Sequence, residues 1–192
     1  MAASSCCVTD RRGGLFRQPL RDRYLWLGAR RTRPFHEWYV TYQLRRHGLP
    51  APVPVGARFV RRGPLYTGDL LTVAIPGARS LAQRVCGEGL SITDWVAVGR
   101  CLRRFHDFGL CHADLNAHNI LFDAHDEVHV IDFDRCSLRR PGLWSDANLV
   151  RLRRSLLKIT DPLPAGRFTE TEWQSLLAGY AEAARRPAAA DA

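Results

Sequence analysis

His112-Ala-Asp-Leu-Asn-Ala-His-Asn119, followed by Val130-Ile-Asp-Phe-Asp134, is the stretch on which the reading of this chain turns. Taken singly, its polar residues are ordinary. Asp114, Asn116 and Asn119 are common turn formers, and Asp132 with Asp134 reads as an acidic pair at a strand end. The order of the set carries the information. A short apolar strand over Ile120 to Phe122, a turn over Asp123 to Glu127 and a second strand from Val128 to Phe133 place a β-hairpin between its two halves. Upstream, Ser91 with Asp94 three residues on forms a capping box. Trp95, Val98, Leu102 and Phe105 then make a helical stripe that ends at Gly109.

The pattern resembles the H-x-D-x-x-x-x-N catalytic loop and the D-F-G element of the protein-kinase-like superfamily. Phosphoryl transfer explains such a spacing. A carboxylate must orient and deprotonate an attacking hydroxyl, and oxygen ligands must hold Mg2+ against nucleotide phosphates. Asp114 suits the first role; Asn119, five residues on, can fold back to the metal, and Asp132 supplies an anionic ligand. His106, His112 and His118 raise the question of a zinc site, but their sixfold spacing follows no familiar ligand pattern. By the resemblance His112 braces the loop, while His118 faces either solvent or phosphate.

Outward from this centre, Pro34 opens a helix over about 34–47 with Phe35, Trp38 and Tyr42 as its apolar stripe, stopped by Gly48 and Pro50. Strand-like runs follow at 53–57 and 70–75, then a short helix from Ser80 to Val85. Helical patterns remain around 144–158 and 170–184. Residues 1–33 are polar and basic, with Tyr24 and Trp26 the first sign of packing. The 192 residues, 46% hydrophobic and 24% charged, exclude a disordered, collagen-like or coiled-coil chain. Twenty-eight basic residues against 19 acidic leave a net +9, and Lys158 is the single lysine. That charge attracts anions such as phosphates, nucleic acid or an anionic membrane, or it reflects an arginine-rich codon usage. The six cysteines form no CxxC pair, which fits a reducing compartment. No signal-peptide stretch and no run near the ~20 apolar residues of a membrane span is present, so the expectation is a soluble or peripheral cytoplasmic protein.

The run HADLNAHNILFD with VIDFDR, together with RDRYLW (21–26), FHEW (35–38), GLPAPVPV (48–55) and IPGARSLAQ (75–83), is similar to 3-deoxy-D-manno-octulosonic acid (Kdo) kinases. These are bacterial enzymes related to lipopolysaccharide core heptose kinases. The likeness covers roughly residues 11–160, and Asp134 stands where protein kinases carry glycine. It implies an α+β, protein-kinase-like bilobal fold over 1–192. A partial N-terminal lobe would occupy about 1–76, a helical C-terminal lobe about 77–185 and a frayed tail 186–192. It further implies Asp114 as catalytic base, Asn119 and Asp132 as Mg2+ ligands, and Glu37 as the helix glutamate that pairs with a nucleotide-anchoring cation. Ala74, Ile75 and Gly77 would form the segment that touches adenine. Activity, partners and place follow from the same likeness: ATP-dependent phosphorylation of a hydroxyl, the 4-position, on the Kdo sugar of a lipid A precursor. The site of action would be the cytoplasmic side of the bacterial inner membrane, with arginines at 135–140 and 151–154 drawn to the anionic membrane surface.

One departure qualifies the likeness. The chain has no GxGxxG loop, Val8 stands where the family's nucleotide-anchoring cation aligns, and Arg11 and Arg12 are poor substitutes. The expectation is therefore a shortened, incomplete N-terminal lobe. Two alternatives stand beside the Kdo kinase reading: a small-molecule phosphotransferase of the aminoglycoside or choline kinase type, and a truncated, non-catalytic pseudokinase. The basic region after Asp134 favours an anionic acceptor over the cationic substrates of the first. Nucleic acid is not expected as a partner, because the aromatic residues fall on core stripes and do not interleave with the basic runs.

Overall fold

Two capping boxes and a Schellman turn set the helix boundaries from which the rest of the chain is hung. A computed structural model describes residues 24–140, 142–162 and 167–184. These fall into two compact units, one holding the described residues up to Ile75 together with Phe133–Cys136, the other Pro76–Asp132 and the described residues from Ser137 on. Val8, Arg11, Arg12 and the frayed tail expected at 186–192 lie outside the described residues.

In the first unit, β1 (Tyr24–Leu25) leads through a 3-10 turn at Ala29–Arg31 into α1 (Arg33–Arg46), and a hairpin of β2 (Pro54–Arg62) and β3 (Leu65–Thr72) follows. The sheet is antiparallel in the order β1-β3-β2. Pro34, whose missing N–H costs nothing in a first helical turn, starts α1. Gly48 ends it in the left-handed region, φ 69°, with Leu49 N–H to Leu44 O and Gly48 N–H to Arg45 O, the two bonds of a Schellman motif. Val40, Thr41 and Leu44 form the buried face of α1. This corrects the expected aromatic stripe. Phe35 and Tyr42 are exposed, and Trp38 stacks on Tyr42 with ring centroids 5.4 Å apart. The hairpin is also longer than the runs at 53–57 and 70–75, because Arg58, Arg61 and Arg62 sit on an open strand and hide its alternation.

In the second unit, β4 (Arg79–Ser80), α2 (Leu81–Cys86), α3 (Ile92–Asp107), β5 (Leu110–Cys111), β6 (Ile120–Phe122), β7 (Val128–Val130), β8 (Ser137–Leu138), α4 (Trp144–Thr160) and α5 (Glu170–Ala184) follow in order. Ser80 with Gln83 and Ser91 with Asp94 form complete capping boxes. Trp95, Val98, Leu102 and Phe105 are each no more than 2% exposed and make α3 the spine of the core. Its partner is α5. The helices meet where Gly99 faces the backbone of Leu176 and Gly179 faces that of Val96, too close for a methyl group on either glycine. Hairpin β6–β7 pairs Ile120 with Val130, and its turn is held by Asp123, whose Oδ1 accepts the amides of His125 and Glu127. The four described cysteines form no disulfide with one another, and among the described residues no helix is long and apolar enough to cross a membrane.

His106, on α3, is buried with its Nδ1 2.7 Å from the Tyr180 hydroxyl, edge-on to the rings of Trp144 and Tyr180. Burial above all lowers its pKa from the ordinary 6.5 to about 4.

Two expectations follow. G99A lowers stability by about 2–3 kcal/mol through backbone overpacking, seen as a lower urea midpoint at unchanged slope, whereas G56A, in open space, stays within about 0.5 kcal/mol. Stability also falls as pH drops from about 6.5 towards 4, because the unfolded chain takes up a proton on His106 that the folded chain refuses. Urea titrations at pH 7 and pH 5 measure this, and His106→Gln loses less between them than the native chain does.

Candidate active site

The loop 112–119 carries no regular structure, so its backbone polar groups need partners from elsewhere. Asn148 of α4, 3% exposed, supplies two: its Oδ1 accepts His112 N–H at 3.1 Å and its Nδ2 donates to His112 O at 3.0 Å. Arg151 donates to Ala113 O at 2.6 Å, and Ser155 Oγ accepts Ala117 N–H at 3.1 Å. On the other side Ala117 O accepts Ala82 N–H at 3.0 Å. Leu115 and Ala117, each no more than 1% exposed, anchor the loop from below, which leaves Asp114 and His118 exposed.

The His112 ring is 3% exposed as a residue and its tautomer is set by its partners. Nδ1 accepts Asp114 N–H at 3.2 Å, so Nε2–H must donate to Ile131 O at 3.0 Å. The acceptor role of Nδ1 requires the neutral ring, and burial, the largest influence, lowers the pKa in the same direction. The bracing role expected for His112 is thus what its contacts perform.

Asn119 closes the constellation. Its Nδ2 donates to Asp114 O at 2.9 Å, while its own carbonyl accepts Ile131 N–H at 3.0 Å, one residue before Asp132. Asn116 Nδ2 reaches both Asp114 O and Asp114 Oδ2 at 3.1 Å, which orients the Asp114 carboxyl. The chain therefore brings together Asp114, Asn119 and the strand end that bears Asp132. Asp132 is half-buried with φ 64°, a left-handed conformation unusual for a residue with a side chain. Glu37, half-buried on α1, with Ala74 and Ile75, both half-buried, belongs to the first unit; exposed Gly77, φ 65°, belongs to the second.

The Asn119 amide nitrogen donates to Asp114, and the Asn119 amide oxygen and the Asp132 carboxylate are the hard donor atoms of this segment. Among the described residues no group of three His, Cys, Asp or Glu side chains is arranged to hold a metal by itself. That donor set fits Mg2+, which keeps waters and takes phosphate oxygens and so needs only one or two protein carboxylates.

Asn148, Arg151 and Ser155 were not singled out by sequence as loop supports. Their spacing, i, i+3 and i+7 on one helix face, is the only signal they leave. Two of the arginines at 151–154 have partners within the fold. Arg151 serves the loop, and Arg153 pairs with Glu170 at 2.6 Å and lies over the Trp173 ring.

The chain has relatives among known proteins. A 3-deoxy-D-manno-octulosonic acid kinase of Xylella fastidiosa (strain M23) is 47% identical over 150 residues, 78% of this chain and 60% of the relative. One of Xanthomonas axonopodis pv. citri (strain 306) is 48% identical over 151 residues, 77% and 59%. The chain thus spans about 60% of the length of these curated relatives. Among solved structures, the bifunctional kinase-methyltransferase WbdD aligns over 82% of this chain and 37% of its own, with 20% identity and a TM-score of 0.44. The model of the lipopolysaccharide kinase (Kdo/WaaP) family matches residues 5–180, and the chain, with its α+β fold and its Asp114/Asn119/Asp132 layout, belongs to that family.

Proposed function

We propose that this chain carries out, or forms the core of a protein that carries out, ATP-dependent phosphorylation of a hydroxyl on the Kdo sugar of a lipid A precursor. The observation that supports it most is Asn119, whose side chain and carbonyl tie the loop bearing Asp114 to the strand end bearing Asp132. The family match and the Kdo kinase names of its relatives give the acceptor class and favour it over aminoglycoside or choline-type substrates.

In this reading Asp114 accepts the proton of the acceptor hydroxyl as its oxygen bonds to the γ-phosphorus, and the bond from that phosphorus to the bridging oxygen breaks to release ADP. Asn119 and Asp132 hold Mg2+, which supplies charge neutralisation at the phosphates. Glu37 pairs with a nucleotide-anchoring cation, and Ala74, Ile75 and Gly77 meet the adenine. Exposed Arg135, Arg139, Arg140 and Arg154 face the anionic lipid that presents the acceptor, on the cytoplasmic side of the inner membrane.

Mass spectrometry of a lipid A precursor bearing one Kdo, incubated with protein, ATP and Mg2+, is expected to show the gain of one phosphate. D114N lowers the rate by about 10²- to 10⁴-fold. No gain with folded protein and with a relative-length version alike contradicts the reading. N148A removes both bonds to His112, so it is expected to lower the thermal midpoint and the rate together, with a cost of about 2–3 kcal/mol. An unchanged rate and midpoint would show that α4 does not hold the loop.

A further inference from the structure

Asp134 stands two residues beyond Asp132, and an I-D-F-D sequence invites the view that both carboxylates serve a metal. The contacts of Asp134 point elsewhere. Its carboxylate is met in bidentate fashion by Arg33 in the first turn of α1: Nε donates to Oδ1 at 2.9 Å, and Nη2 contacts Oδ2. Both side chains are about a quarter exposed, 25% and 26%, so this is not a solvent-averaged surface pair. Arg33 is itself fixed. Its guanidinium lies 4.5 Å over the Tyr24 ring, and its backbone N–H donates to the hydroxyl of Tyr66, a residue 3% exposed.

The rest of the segment is held from the same helix. His36, one residue after Pro34 and Phe35, donates Nε2–H to Cys136 O at 2.9 Å, and Phe133 and Cys136 are each 1% exposed. Cys136 N–H closes a turn on Phe133 O at 3.1 Å. On either side of Phe133-Asp134 the backbone is left-handed, φ 64° at Asp132 and φ 57° at Arg135. Side-chain-bearing residues keep such a conformation only where their surroundings over-determine it. The contacts from α1 fall on Asp134 and Cys136, the residues on either side of Arg135.

We infer that Arg33 and Asp134 are a positioning pair, which locks the turn after Asp132 and thereby sets the orientation in which Asp132 meets its metal, Asp134 itself being a structural anchor and not a metal ligand. This rests on the reading of Asp132 as a metal ligand. It also accounts for an aspartate where protein kinases carry glycine: glycine has no carboxylate with which to hold α1.

A double-mutant cycle on the 192-residue chain tests it, with R33Q, D134N, R33Q/D134N and, as control, D132N. Hydrogen exchange at Phe133–Cys136 reads the clamp without reference to activity, and Mn2+ affinity in the presence of ADP, by electron paramagnetic resonance, reads Asp132. R33Q and D134N are each expected to speed exchange in that segment about five- to tenfold, leave exchange elsewhere unchanged and weaken Mn2+ several-fold. The double variant is no worse than either single one, because all three remove the same pair. D132N abolishes Mn2+ binding with exchange at 133–136 unaltered. Weakened Mn2+ binding in D134N but not in R33Q would make Asp134 a ligand and overturn the inference. Native exchange and affinity in both single variants, or additive effects in the double, would overturn it as well. A native chain that binds no Mn2+ would sink the metal reading and the positioning role with it, while the exchange cycle would still report whether the clamp exists.

Discussion

Asn119 is the residue on which the site depends. Its side chain donates to the main-chain carbonyl of Asp114 at 2.9 Å and its own carbonyl accepts the Ile131 N–H at 3.0 Å, which ties the backbone that bears Asp114 to the backbone just before Asp132. The amide suits this place because it is both donor and acceptor: its nitrogen fixes the loop, and under the proposed function its oxygen is the atom that would meet the cation. An aspartate here would lose the bond to Asp114 O, and an apolar residue both functions. At 8% exposed, Asn119 gives up solvent for these partners, so each bond that fails leaves a buried polar group unsatisfied.

Around this residue the protein avoids buried charge. Burial and the acceptor role of Nδ1 favour the neutral form of His112, and Asn148 supports its backbone without a formal charge. The position of Asn148 on α4 lets a single side chain satisfy both the N–H and the C=O of His112. Charge pairing is used instead at the periphery. Arg84, for example, joins α2 to Asp94 at the start of α3 and to Asp126 in the hairpin turn, with its guanidinium over the Phe122 ring.

Much of this was legible in sequence, for physical reasons that can be named. The Ser91/Asp94 box and the Trp95, Val98, Leu102 and Phe105 stripe declare α3, because capping and burial coincide. Asp114, Asn119 and Asp132 declare themselves by spacing. What stayed hidden depended on tertiary contact. Strands β1, β4, β5 and β8 are two residues each and leave no period. On α1 the aromatic residues outweighed Val40, Thr41 and Leu44 in the reading, although these are what the sheet covers. Asn148 looks like one polar residue in a helix until the loop is folded against it. Asp134 reads in sequence as half of an acidic pair at a strand end, and its partner Arg33 lies 101 residues earlier.

The most direct measurement is a crystal structure of the protein with Mg2+ and a non-hydrolysable ATP analogue. The expected electron density has the metal bonded to the Asn119 amide oxygen and the Asp132 carboxylate, Asp114 open to the acceptor side, and Asp134 still on Arg33. A metal held by other residues, or nucleotide density away from the 112–119 loop, would contradict the central claim that Asn119 joins a catalytic base to a metal ligand.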